Sequence, residues 1–155
     1  MIKTHRWRGV SLVMALTMVI GFALPALGDN ERPFRGYADE EVISRVQDDV
    51  DGTTHVIATG EGQATHLGHF TRLGRVVIDS EGNAEGTVVF TAANGDELHA
   101  DIEGVPTGVP GTLAGTYTFT GGTGRFSDAS GVVPFVGITS DFIHIAVVFE
   151  GTIQY

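Results

Sequence analysis

Three stretches carry residues whose types and spacing could do chemistry. The first, Gly121 to Gly131 (GGTGRFSDASG), holds enough glycine to wrap a phosphate in backbone N–H groups. A dinucleotide site of that kind needs an amphipathic helix after the glycines and an acid further on. Here only Arg125 to Ser130 separate the run from GVVPFVGI, a stretch that reads as a strand. A P-loop needs a lysine, and the chain's single lysine is Lys3. The run therefore reads as a tight connection whose glycines take positive φ, with Phe126 folded back onto the core and Arg125 solvated. The second stretch, HLGH, puts His66 and His69 three apart, on opposite faces of a regular strand. Only a bulge at Gly68 would bring them together, and His55, His99 and His144 are scattered, so no metal site is expected. The third, DDVDG at Asp48 to Gly52, lacks the remaining ligands and the closing glutamate of a calcium loop. It reads as an acidic hairpin turn. No G-x-S-x-G marks a serine nucleophile, and a chain without cysteine has no thiol nucleophile.

The elements that must position any site have a period of two. In Asp96 to Gly104 (DELHADIEG), Leu98, Ala100 and Ile102 face one side while Glu97, His99, Asp101 and Glu103 face the other. A slip of one residue would bury four polar groups, so the register is strongly specified. Asn94-Gly95 before it is a hairpin signal. The same reading predicts strands near 35–47, 53–66, 69–79, 84–93, 96–104, 112–120, 131–139 and 142–154, joined by short segments rich in turn residues. Eight consecutive strands predict an all-β, antiparallel meander that at this size either folds into a sandwich or closes into a barrel, and the barrel is preferred since closure removes exposed edges. Glycines at inward positions, among them Gly60, Gly62, Gly86, Gly115, Gly137 and Gly151, suit a tightly curved wall.

The first 28 residues stand apart. Lys3, Arg6 and Arg8 make a basic start, Val10 to Leu24 is mostly apolar, and Ala26-Leu27-Gly28 puts small residues at a cleavage position. This is the pattern of an export signal cut before Asp29, leaving residues 29–155 as one barrel domain, secreted or periplasmic. All 19 acidic residues lie beyond the cut, against the 6 basic residues left from 9, a formal charge of −13. Such a surface repels nucleic acid and anionic membrane. With no cysteine there is no disulfide, so packing and hydrogen bonds must hold the fold.

The inward face is where a ligand would sit. Phe90, Tyr117, Phe119 and Phe149 are the candidate ligand-binding residues, with Tyr117 the one polar handle and inward ionisable residues almost absent. An eight-stranded barrel has an interior that side chains just fill or that holds one small ligand, and the sequence leaves both open. GGTGRFSDASG also resembles the G-G-T-G-x-F-x-x-A-x-G signature of dirigent proteins and related allene oxide cyclase-like barrels, matched at Gly121, Gly122, Thr123, Gly124, Phe126, Ala129 and Gly131. The resemblance implies an eight-stranded barrel with a hydrophobic cavity, in a group some of whose members steer coupling or cyclisation of reactive molecules. The matched motif is structural there, so it carries over no catalytic residue. The leading expectation is an exported barrel that binds a small apolar or aromatic molecule without turnover and without a cofactor. The alternatives are a cyclase or coupling guide, acting by restricting geometry, and an extracellular structural or interaction module.

Overall fold

The computed structural model describes residues 30–155, and the expected export segment, residues 1–28, lies outside them. Eight strands follow one another: β1 Arg32–Gln47, β2 Thr54–Ala64, β3 Gly68–Ile78, β4 Ala84–Ala92, β5 Glu97–Pro106, β6 Thr112–Gly122, β7 Gly131–Ile138 and β8 His144–Ile153. Each pairs antiparallel with the next, and β8 returns to β1, closing the barrel. The all-β meander expected from the alternation is the observed fold. In β5 the register is the expected one, with Leu98, Ala100 and Ile102 buried and Asp101 and Glu103 outside. No helix among the described residues is long and apolar enough to cross a membrane.

Strand ends differ from expectation where closure recruits extra residues. β1 starts at Arg32 because Phe34 is an inward position opposite Gly151 of β8. Gly121 and Gly122 of the glycine run still belong to β6, paired with His99 and Leu98. Gly131 opens β7, and the residues between are a connection containing one 3₁₀ turn, Gly124–Phe126, with Phe126 fully buried. Arg125 is not simply solvated, as the sequence suggested. Its Nη2 donates to the His66 carbonyl at 2.6 Å, and its guanidinium lies 3.8 Å from Asp96. The side chain thus ties the β6–β7 connection to the β2–β3 and β4–β5 turns. Those partners are far away in the chain, out of reach of any local pattern.

The even connections (β2–β3, β4–β5, β6–β7) and the chain's C-terminus gather at one end, and the odd connections gather at the other. The interior near the first end is an aromatic stack. Phe34 lies on Phe149 with ring centroids 5.4 Å apart and meets Phe119 edge-on at 5.1 Å. Phe70 meets Phe90 edge-on at 5.5 Å. Edge-on and offset pairs of this kind each add ~0.5–1.5 kcal/mol beyond area burial. Glycine makes the room. A Cβ on Gly36 would fall 2.8 Å from the Phe149 ring, and one on Gly62 would fall 2.9 Å from the Phe70 ring.

Candidate functional site

Halfway along the barrel the aromatic stack ends on a buried polar cluster. Glu40 of β1 is directly opposite Gly60 of β2, and Gly60 is directly opposite Arg72 of β3. Neighbouring strands are roughly 4.8 Å apart, so side chains two strands apart do not ordinarily meet over the strand between. They meet here because Gly60 has no side chain. A Cβ on it would fall 2.8 Å from Glu40 Cγ. The gap lets Arg72 Nη1 form an ion pair with Glu40 Oε2. Arg72 Nη2 then donates across the barrel to the Tyr117 hydroxyl of β6 at 3.2 Å.

The three side chains are almost removed from solvent, with Tyr117 at 0%, Arg72 at 5% and Glu40 at 6% exposure. Burial pushes the Glu40 carboxyl above its ordinary value, although the Arg72 charge and hydrogen bond pull the other way. Burial likewise pushes the Tyr117 phenol up to about 12, against the pull of Arg72 and with the Glu40 charge adding to the rise. Arg72 Nε and Glu40 Oε1 have no hydrogen-bond partner. Orphaned buried polar atoms cost about 1–3 kcal/mol each, more when charged, so they are retained only where something else gains.

Beyond the cluster, toward the odd connections, the barrel is hollow. A cavity of about 530 Å³ opens at that end, with Glu40, Arg72 and Tyr117 in its lining. Its walls are mainly aliphatic, including Val56, Val76, Ile102 and Leu113, and Val109 and Phe142 stand at its mouth. Both mouth residues are exposed, and Phe142 has φ 60°, a left-handed conformation uncommon for a large side chain. The Arg72 guanidinium lies against Gly74, whose missing Cβ would be 3.6 Å from Nη1. That glycine faces the cavity, so the cluster forms its floor.

The four candidates from the sequence divide between these regions. Tyr117 belongs to the floor and stacks on Phe135 at 4.6 Å. Phe90 packs beneath it, with Arg72 Cζ 5.8 Å from its ring centre. Phe119 and Phe149 lie in the aromatic stack, both against Phe34. The expectation that the inner face is almost free of ionisable residues is corrected by Glu40 and Arg72. A signal for both was present. Period two from Phe34 through Ala38 puts Glu40 inside, and period two from Phe70 puts Arg72 inside.

The other candidate chemistries stay apart. His66 sits in a turn with φ 69° and its Nε2 3.0 Å from the Pro33 carbonyl, whereas His69 lies 3.6 Å from Glu61. In the acidic turn, Asp48 accepts from the Val50 N–H at 2.8 Å and Asp51 from the Thr53 N–H at 2.9 Å, so these carboxylates shape the hairpin.

No family model matches this chain, and no curated protein does either. Among solved structures, a protein of unknown function from Clostridium acetobutylicum ATCC 824 is similar, with a TM-score of 0.51 at 11% identity. The match covers 83% of this chain and 100% of that one. The likeness is one of fold alone.

Proposed function

We propose that the protein is an exported binding barrel that holds one small, mainly apolar molecule in its hollow half. The observation that carries this reading is the apolar cavity of about 530 Å³, open at one end of a barrel whose other half is packed shut. Ligand sites typically enclose ~300–1,000 Å³, lined by apolar groups with a few placed polar ones. The export expected from the first 28 residues would place the site outside the cytoplasm. Titration of purified residues 29–155 with the neutral apolar fluorophore Nile red tests the reading. Saturable, blue-shifted emission at one probe per barrel is expected, and Gly137→Leu, whose side chain enters the cavity, should abolish it. Absence of saturable emission from the wild type would defeat the proposal.

A second reading, turnover by guided cyclisation or coupling, draws on the resemblance of the glycine run to allene oxide cyclase-like and dirigent barrels. The buried Glu40, Arg72 and Tyr117 favour it, because acid–base chemistry needs ionisable groups within reach of the bound molecule. Molecules extracted from the purified barrel would be recovered unchanged if it only binds.

A further inference from the structure

The mouth of the cavity carries a cation that plain alternation along β1 would have turned outward. Phe34, Ala38, Glu40 and Val42 hold the inward positions, an even-numbered series that leaves Arg45 outside. Between Val42 and Ser44 the strand bulges, because Val42 is opposite Ala58 and Ser44 is opposite Ile57, with Ile43 as the extra residue. The facing then reverses, Arg45 comes opposite Val56, and both line the cavity. Bulges at barrel rims commonly re-aim a side chain in this way. We propose that Arg45 is the head-group site of the cavity and that the ligand is an aliphatic monocarboxylate, its carboxylate at the mouth and its chain toward the floor. The inference rests on the binding reading above and specifies the chemistry of what is bound.

Access comes first. Arg45 is exposed at the open end of the cavity. Among the described residues no carboxylate forms an ion pair with it. Its guanidinium lies 6.0 Å from the centre of the Phe142 ring, a cation–π contact at the limit of range that leaves its N–H fork open to a ligand. The Val42 N–H donates to the Ile143 carbonyl at 2.8 Å, which ties the bulge to the connection carrying Phe142.

Charge selects the head group. The charged residues of the lining are Glu40, Arg72 and Arg45. Glu40 and Arg72 neutralise each other as an ion pair, and their spare atoms are sealed from solvent, so the floor offers a head group nothing to hold. Arg45 leaves the lining one positive charge, in a strongly acidic barrel. A carboxylate answers that charge and matches the planar guanidinium with two parallel hydrogen bonds, whereas an ammonium is repelled. The odd turns do carry acids, but Asp48, Asp51, Asp79 and Asp141 accept from backbone N–H groups of their own turns. Exposed charges of that kind are screened beyond ~8 Å at physiological salt. They still oppose a second negative charge, which favours a monoanion. Between Arg45 and Glu40 lie about four residues of paired strand, roughly 13 Å at ~3.3 Å each. The walls along that length are aliphatic, with Val42, Val56 and Val76 among them, which suits an alkyl chain.

A matched series on the wild-type barrel tests this by displacement of Nile red near neutral pH. Decanoate should bind tightest, decanol about tenfold weaker, and decylammonium weaker still, tenfold being the least expected of a hydrogen bond to a charged group. Arg45→Met keeps an aliphatic side chain at an exposed position. It should weaken decanoate about tenfold and leave decanol and Nile red unchanged, while Arg45→Glu should make decylammonium the preferred ligand. Should neither variant fold, the wild-type series decides alone. Equal binding of decanoate and decanol, tightest binding of decylammonium, or decanoate binding unchanged in Arg45→Met would overturn the head-group site while leaving the cavity a binding site. Failure of Nile red and all three decyl compounds to bind would overturn the binding reading and this inference with it.

Discussion

The half of the barrel beside the even connections and the half beside the odd ones share the same eight strands and the same inward–outward alternation. One is solid and the other hollow. In the solid half the inward positions carry Phe34, Phe70, Phe90, Phe119 and Phe149, and glycines sit under the rings. In the hollow half they are mainly valine, leucine, alanine, isoleucine and glycine, and no ring covers Gly137, whose nearest neighbours are methyl groups of Ile145 and Val147 at 3.6 and 3.9 Å. Glycine therefore plays two parts in one wall. Beneath a ring it is a seat, and without one it is empty space. Alternation decides which residues face inward, but the summed volume of those residues decides whether they touch. Glu40 and Arg72 lie on the boundary, where the Arg72 guanidinium sits over the Phe90 ring and bonds to the Tyr117 hydroxyl on one side and both residues line the cavity on the other.

The contrast is open to direct tests, and the largest effect is expected from truncation. Phe90→Ala should lose ~3–5 kcal/mol by denaturant melt, since it leaves a void in a packed stack, whereas Val76→Ala should lose ~1 kcal/mol or less because its neighbours already face a cavity. Equal losses would erase the distinction between the halves.

A smaller contrast comes from adding a methyl group. A Cβ at Gly62 would run into the Tyr37 carbonyl and the Phe70 ring, so Gly62→Ala should lose ~1–3 kcal/mol. Gly137→Ala meets only ordinary van der Waals distances and should melt close to wild type. A well-tolerated Gly62→Ala would mean that Phe70 is free to move and the stack is loose.

The smallest effect is the pH dependence that separates interior from exterior. Glu40 has a raised folded-state pKa, so the folded protein holds its proton more tightly than the unfolded chain. Its contribution to stability is fully present below the ordinary value of 4.5 and is lost as pH rises through the raised value. Exposed Asp141 has the opposite sign. Hydrogen bonds from His144 hold its carboxyl well below the usual range, and its contribution is present above the ordinary value and lost as pH falls through the lowered one. Melts across the acidic range should therefore show that Glu40→Gln removes a decline toward neutral pH and Asp141→Asn removes a decline toward acid. A pH profile unchanged by Glu40→Gln would mean that Glu40 does not titrate as a buried group.

What the sequence by itself determined was the number of strands, their order, the alternation within them and the position of most turns. Strand alternation and hairpin chemistry are local, legible within about ten residues, and the Asp96 to Gly104 stretch shows how completely. The same local facts favoured a closed barrel over a sandwich, and the pairing of β8 with β1 decided it. The buried site was half legible. Period two alone places Glu40 and Arg72 inside, yet their pairing depends on the registers of β1 with β2 and of β2 with β3, and on Gly60 having no side chain to part them. The Arg125 contact with the His66 carbonyl is of the same kind, a long-range meeting fixed only when three connections converge. The cavity belonged wholly to the tertiary structure. Whether aliphatic side chains from eight strands meet across an interior depends on the barrel's radius and shear, and no single strand carries that information.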